Sequence, residues 1–242
     1  MALGGGTFLT QNKVLPGAYI NFVSAANASA TLSDRGYVAI GLDLNWGKES
    51  EVFEVTAEDI QKNSLKLFGY SYADDEMKGL RDLFLNAQTV FVYRLTSGGT
   101  KATNTYATAL YGGTRGNDLK IVVRTNVDDN NKKDVITILG TTEVDSQTVA
   151  SSANLVANDY VTFKTSDLDL TAGTALTGGT NGTSDATAHQ AFLTAIESYS
   201  FNAIGCLSNV TTIKNLYVSF TQRLRDTVGK KFQCVVYDKA AD

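Results

Sequence analysis

The chain has 242 residues, 43% of them hydrophobic and 19% charged, a mixture that supports a folded core and excludes a disordered polymer. Its net charge is −4 and no run of Lys or Arg is longer than a pair, which argues against a nucleic-acid-binding face. No apolar run reaches the ~20 residues of a membrane helix, and the N-terminus lacks a basic flank with an apolar core, so no membrane is expected and a soluble cytoplasmic product is predicted.

Residues 1–16 open with Gly4-Gly5-Gly6 and show no helical period. Phe8, Leu9, Val14 and Leu15 are apolar points with no local face to pack on, so an extended N-terminal arm is expected over 1–17. Pro16-Gly17 punctuates the chain, and 18–23, with Tyr19 near its start, reads as a strand. Alternation predicts a strand over 36–44, and Val52, Phe53 and Val55 a third. Residues 57–68 read as a short helix with Ile60, Leu67 and Phe68 inward. The helix after it carries a stripe of Met77, Leu80, Leu83, Phe84 and Ala87, with Asp74 and Asp75 as caps. The apolar run 89–95 predicts a strand covered on both faces.

At Ser97-Gly98-Gly99 the composition turns to Thr, Asn, Asp and Gly. Strands are predicted over 119–123, 135–139 and 160–163, the first two joined as a hairpin through Asp128-Asp129-Asn130-Asn131. Helical period returns after Asn181-Gly182: Ser184 is the expected cap, and Ala188, Ala191, Phe192, Ala195, Ile196 and Tyr199 form a stripe. A strand over 203–207 follows. A long helix then carries Ile213, Leu216, Tyr217, Phe220 and Leu224 on one face and stops at Gly229, and a strand over 232–237 comes last.

Together these elements predict the α/β (α+β) class. The expected architecture is a discontinuous α/β sandwich domain, largely parallel in its sheet, with an inserted β-rich, sandwich- or barrel-like module. The predicted boundaries are 1–17 for the arm, 18–96 and 180–242 for the two parts of the α/β domain, and 97–179 for the insertion. The chain is expected to be cut after a core strand, because an uncovered sheet edge at 232–237 invites unwanted pairing.

Little of the sequence points to chemistry. There is one histidine, and acid–base and metal sites lean on that residue. Leu176 to Ser184 invites a phosphate-loop reading, but no Lys follows Gly182, no apolar strand feeds directly into it, and Asp185 puts a carboxylate where an anion would bind. Asp128, Asn130 and Asp134 resemble calcium ligands, yet Lys132 and Lys133 stand where a ligand and a glycine are needed. His189 reads as a boundary or surface residue. Cys206 and Cys234 read as buried free thiols in neighbouring strands. Trp46 could stack on a sugar but is expected to pack at a core edge. No catalytic residue, metal or cofactor is predicted.

Three stretches carry a resemblance. Leu15-Pro16-Gly17-Ala18-Tyr19-Ile20-Asn21-Phe22 is similar to a Pro-Gly-x-Tyr segment, where an arm enters a folded body. Gly113-Thr114-Arg115-Gly116-Asn117-Asp118-Leu119-Lys120-Ile121 resembles a Gly-x-x-Gly-Asn strand entry, and Leu176-Thr177-Gly178-Gly179-Thr180-Asn181-Gly182 a Leu-x-Gly-Gly-x-x-Gly turn. In order and spacing they resemble the contractile tail sheath family of phages and phage-like R-type bacteriocins, in its Gram-positive form. The resemblance implies a structural subunit without catalytic residues or cofactor. Its implied partners are other copies of itself in stacked rings, an inner tail tube protein, and baseplate and terminator proteins, with no nucleic acid and no membrane. It also implies that Gly4, Gly5, Gly6, Phe8, Leu9, Val14 and Leu15 form an inter-subunit arm joined to the body at Pro16, Gly17 and Tyr19. Family chains usually continue past the position of Asp242. The alternatives from other classes are a β-rich cell-surface or carbohydrate-binding module on an α/β scaffold, and a nucleotide-dependent enzyme using the Gly-rich loop.

Overall fold

The computed structural model describes residues 36–238; the expected arm, its junction at Pro16, Gly17 and Tyr19, and the strand expected over 18–23 lie outside the described residues. Strand β1 (Tyr37–Leu42) alternates Tyr37 and Ala39 toward one core and Val38, Ile40 and Leu42 toward another. Strand β2 (Val52–Thr56) runs straight into helix α1 (Ala57–Phe68). Thr56 makes that abrupt switch possible: its hydroxyl accepts from the Asp59 amide, and the Asp59 carboxylate accepts from the Thr56 amide.

The following turn departs from expectation. The Asp74 carboxylate accepts from the Ser71 amide (2.8 Å) instead of capping, so a 3-10 turn (Asp75–Met77) precedes helix α2 (Lys78–Phe84). Strand β3 (Thr89–Arg94) is buried at every residue, as its unbroken apolar run requires.

Seven strands then follow: β4 (Lys101–Thr103), β5 (Ala107–Gly112), β6 (Leu119–Thr125), β7 (Lys133–Leu139), β8 (Thr142–Val149), β9 (Val161–Phe163) and β10 (Thr171–Ala175). The chain returns through α3 (Ala186–Ile196), β11 (Ala203–Cys206), α4 (Thr211–Arg223) and β12 (Gln233–Val236). Asp185, not Ser184, caps α3: its carboxylate accepts from the Ala188 amide at 2.9 Å, with a charge suited to the helix's positive end. A π turn (Leu224–Val228) extends α4 until Gly229, at φ 77°, ends it.

The class is α/β with a mixed sheet and added antiparallel sheets. The main sheet has the order β12-β11-β1-β3-β2, parallel throughout except for β2 against β3. Strands α3 and α4 connect do not lie directly beside β3, because β1 sits between β3 and β11. Helices α3 and α4 cover one face over Phe91, Tyr93, Ile204 and Cys206, and α1 and α2 cover the other over Ile40, Val90 and Val92. The intervening strands form two smaller sheets, β10-β6-β7-β8 and β4-β5-β9, around a separate core that includes Leu119, Ile121, Val135, Val161 and Leu176.

Candidate functional site

Two of the stretches singled out in the sequence fold against each other at the seam between the main sheet and the smaller ones. The Asn117 side-chain amide donates to the Gly179 carbonyl (2.9 Å), and the Gly179 amide donates back to the Asn117 side-chain oxygen (2.8 Å). The Thr114 amide donates to the Asn181 side-chain oxygen at 2.9 Å, and the Thr100 hydroxyl to the Gly178 carbonyl at 2.6 Å.

Glycine is required at this seam. Gly113 has φ +133°, and a Cβ there would overlap the Asn45 carbonyl; one at Gly182 would overlap the Ser97 carbonyl. Ser97 and Thr183 form an antiparallel bridge, so the chain leaves and re-enters the main sheet side by side. The amides of the Gly-rich loop are thus spent on protein partners, and Asp185 holds the α3 N-terminus. A phosphate has no vacant donors here.

Arg94 ends β3 inside this seam with its side chain 0% exposed. Its guanidinium donates to the Gly47 carbonyl (2.8 Å) and the Thr96 hydroxyl (3.1 Å) and pairs with Glu49 at 3.3 Å, while Nη2 has no hydrogen-bond partner. Burial pulls its pKa down and the Glu49 charge opposes that shift. The apolar run that predicted β3 gave no sign that its last side chain would be a buried cation. Only the neighbouring loop reveals it.

Trp46, on the same loop, is 0% exposed and donates its indole N–H to the Lys66 carbonyl (3.1 Å), with Tyr111 edge-on at 5.2 Å. It is a core residue of the smaller sheets and presents no face to a sugar.

His189 corrects the sequence reading. It is 4% exposed, with Nδ1 2.8 Å from the Tyr217 hydroxyl. The stripe on α3 turns it toward α4, where Tyr217 supplies the polar partner that burial demands. Burial lowers the His189 pKa, against the opposing charges of Asp43 and Asp185, and burial raises that of Tyr217. The pair is therefore a neutral hydrogen bond between two helices.

Asp134 also has a structural occupation. Its carboxylate accepts from Asn126 and Thr148 (both 2.7 Å) and from Arg124 (3.3 Å), and these bonds hold its pKa low. Asp128 lies in the turn, its amide donating to the Asn126 side-chain oxygen (3.1 Å). Cys206 and Cys234 are free and lie on neighbouring strands; burial raises both thiol pKa values, which keeps them protonated.

The remaining feature is an edge. Strand β12 stands at the end of the main sheet, with β11 as its neighbour, and Val235 and Tyr237 are 59% and 50% exposed. Such an edge offers backbone donors and acceptors together with apolar side chains.

Two family models match the chain: the phage tail sheath protein beta-sandwich domain over residues 97–181, and the domain III N-terminal region of the tail sheath protein Gp18 over residues 35–95. The chain belongs to the phage tail sheath family. Within that family it is 36% identical to the phage-like element PBSX protein XkdK of Bacillus subtilis and 34% identical to YqbK of the same organism. Each match takes in 99% of this chain and 56% of the relative, so the chain spans about half the length of the curated relatives it matches. The sheath tail protein of Desulfitobacterium hafniense superposes with a TM-score of 0.77 at 37% identity, over 90% of this chain and 52% of that one. The sheath tail protein of Listeria innocua gives 0.70 at 36%, over 83% and 47%. The seam motifs of this sheath chain, 113–121 and 176–181, fall inside the beta-sandwich match.

Proposed function

We propose that the chain is a structural subunit of a contractile tail sheath. Copies stack as rings around an inner tail tube protein, between baseplate and terminator proteins, and contract to drive the tube through a cell envelope. The sheath belongs to a phage or R-type bacteriocin tail assembled in the bacterial cytoplasm. Contraction draws on a metastable packing of subunits and needs no enzymatic step, cofactor, metal, nucleic acid or membrane. The observation that carries this reading, alongside the family, is the edge strand β12 with its exposed Val235, a template for strand addition by another copy.

In the same reading 1–17 is an arm in which Gly4, Gly5 and Gly6 give freedom and Phe8, Leu9, Val14 and Leu15 give apolar contacts to a neighbour. Pro16, Gly17 and Tyr19 fix its exit from the body. Residues 18–96 and 180–242 form the assembling α/β part, and 97–179 form a β-rich part on the outside of the tube. The test is negative-stain microscopy of the full-length gene product. Long striated tubes are expected; isolated particles at assembling concentrations would reject the sheath reading.

A further inference from the structure

Strands β1, β3 and β11 are parallel neighbours, so their carboxyl ends meet at one edge of the sheet. A groove of about 970 Å³ opens there. Its walls are mostly apolar, and at its rim Leu207 and Val210 are 58% and 48% exposed. The two charged side chains lining it, Asp43 and Glu76, are both acidic and both exposed, and no Lys or Arg lines it. Neither carboxylate takes part in an ion pair found among the described residues. His189 adds no positive charge, since burial lowers its pKa. Helix α4 begins at the groove without a side-chain cap, so its first-turn amides lack that acceptor.

An occupant suited to this surface has apolar side chains, one cation, and backbone carbonyls to accept from α4. A small apolar ligand would leave the carboxylates and the amides unanswered, whereas an extended peptide answers all three. The chain itself contains such a segment. In Phe8-Leu9-Thr10-Gln11-Asn12-Lys13-Val14-Leu15, Lys13 is the only charged side chain before Asp34, and apolar residues flank it on both sides.

We propose that residues 8–15 of a second copy dock in this groove, with Lys13 meeting Asp43 and Glu76 and the apolar residues covering Leu207 and Val210. The proposal rests on the reading of 1–17 as an inter-subunit arm and gives that arm a receptor distinct from the β12 edge.

The test is zero-length carbodiimide cross-linking of the assembled full-length protein, prepared from equal parts of ¹⁴N- and ¹⁵N-labelled chains, followed by mass spectrometry. Lys13 is expected to form amide links to Asp43 or Glu76 in mixed-isotope pairs. Asp43→Lys with Glu76→Lys should abolish those links and reduce sedimenting material about tenfold, about 1.4 kcal/mol in association. Adding Lys13→Glu should restore both. Links from Lys13 to other carboxylates of a second copy would overturn the groove as receptor and leave the arm reading standing. Links confined to single-isotope pairs, no Lys13 link in assembled material, or no assembly at all would overturn both.

Discussion

In the smaller sheets, β6, β7 and β8 follow one another through short turns, and seven residue pairs join β6 to β7. In the main sheet, β1 lies against β11, and the Tyr37 amide reaches the Asn202 side chain 165 residues away. The first kind of pairing closes small loops and costs little chain entropy; the second brings together ends that are far apart along the chain. The main sheet is therefore completed only after the inserted strands have returned the chain to Thr183, beside Ser97. Stability that looks like a property of either half passes through the seam they share.

Breaking the seam should have the largest effect. Gly113→Val places a branched side chain at φ +133° against the Asn45 carbonyl and is expected to cost about 3 kcal/mol or more. In urea unfolding followed by both Trp46 fluorescence and far-UV circular dichroism, the two transitions should move together. A shift confined to the Trp46 signal would mean that the two halves are energetically separate.

A charge change at the same place should cost less. Glu49→Gln leaves the buried Arg94 guanidinium without its counter-charge but with its bonds to Gly47 and Thr96, and about 2 kcal/mol is expected. Arg94→Met, which removes the buried charge itself, should recover part of that loss in the Glu49→Gln background. If the double variant is less stable than Glu49→Gln alone, the guanidinium is held by its neutral bonds and not by Glu49.

The smallest effect belongs to the helix layer of the main sheet. His189 has a lowered folded-state pKa, so the unfolded chain binds its proton first as pH falls. Its stability contribution is present above the unfolded value of about 6.5 and declines as pH drops below it toward the folded pKa. The decline between pH 7 and 5 should be shallower in His189→Gln, measured by urea midpoints at each pH. An identical decline in both proteins would assign the pH dependence to carboxylates elsewhere.

The elements legible in the sequence were those with a regular apolar period. Residues 57–68, the buried run ending at Arg94, and the stripe from Ile213 to Leu224 all emerge with little displacement. Strands β4, β5, β8 and β10 carry short, small or polar side chains such as Lys101-Ala102-Thr103 and Thr171-Ala172-Gly173, and their pairing is decided by partners distant in the chain. The same cause explains the misplaced cap at Ser184 and the surface reading of His189. A side chain's hydrogen-bond partner 28 residues away leaves no local signal. At the seam, the Gly-rich stretches were visible as motifs, but that Asn117 clasps Gly179 became evident only when both lay in one place.

The side-by-side passage of Ser97 and Thr183 also makes the smaller sheets a lever with a narrow hilt. A load applied to them reaches the main sheet through β3 on one side and the start of α3 on the other. Strand β3 is gripped along its length by β1 and β2, six register pairs on one side and five on the other. Tension along that strand meets those bonds in shear, all at once, whereas the bare edge at β12 can be peeled from β11 one pair at a time.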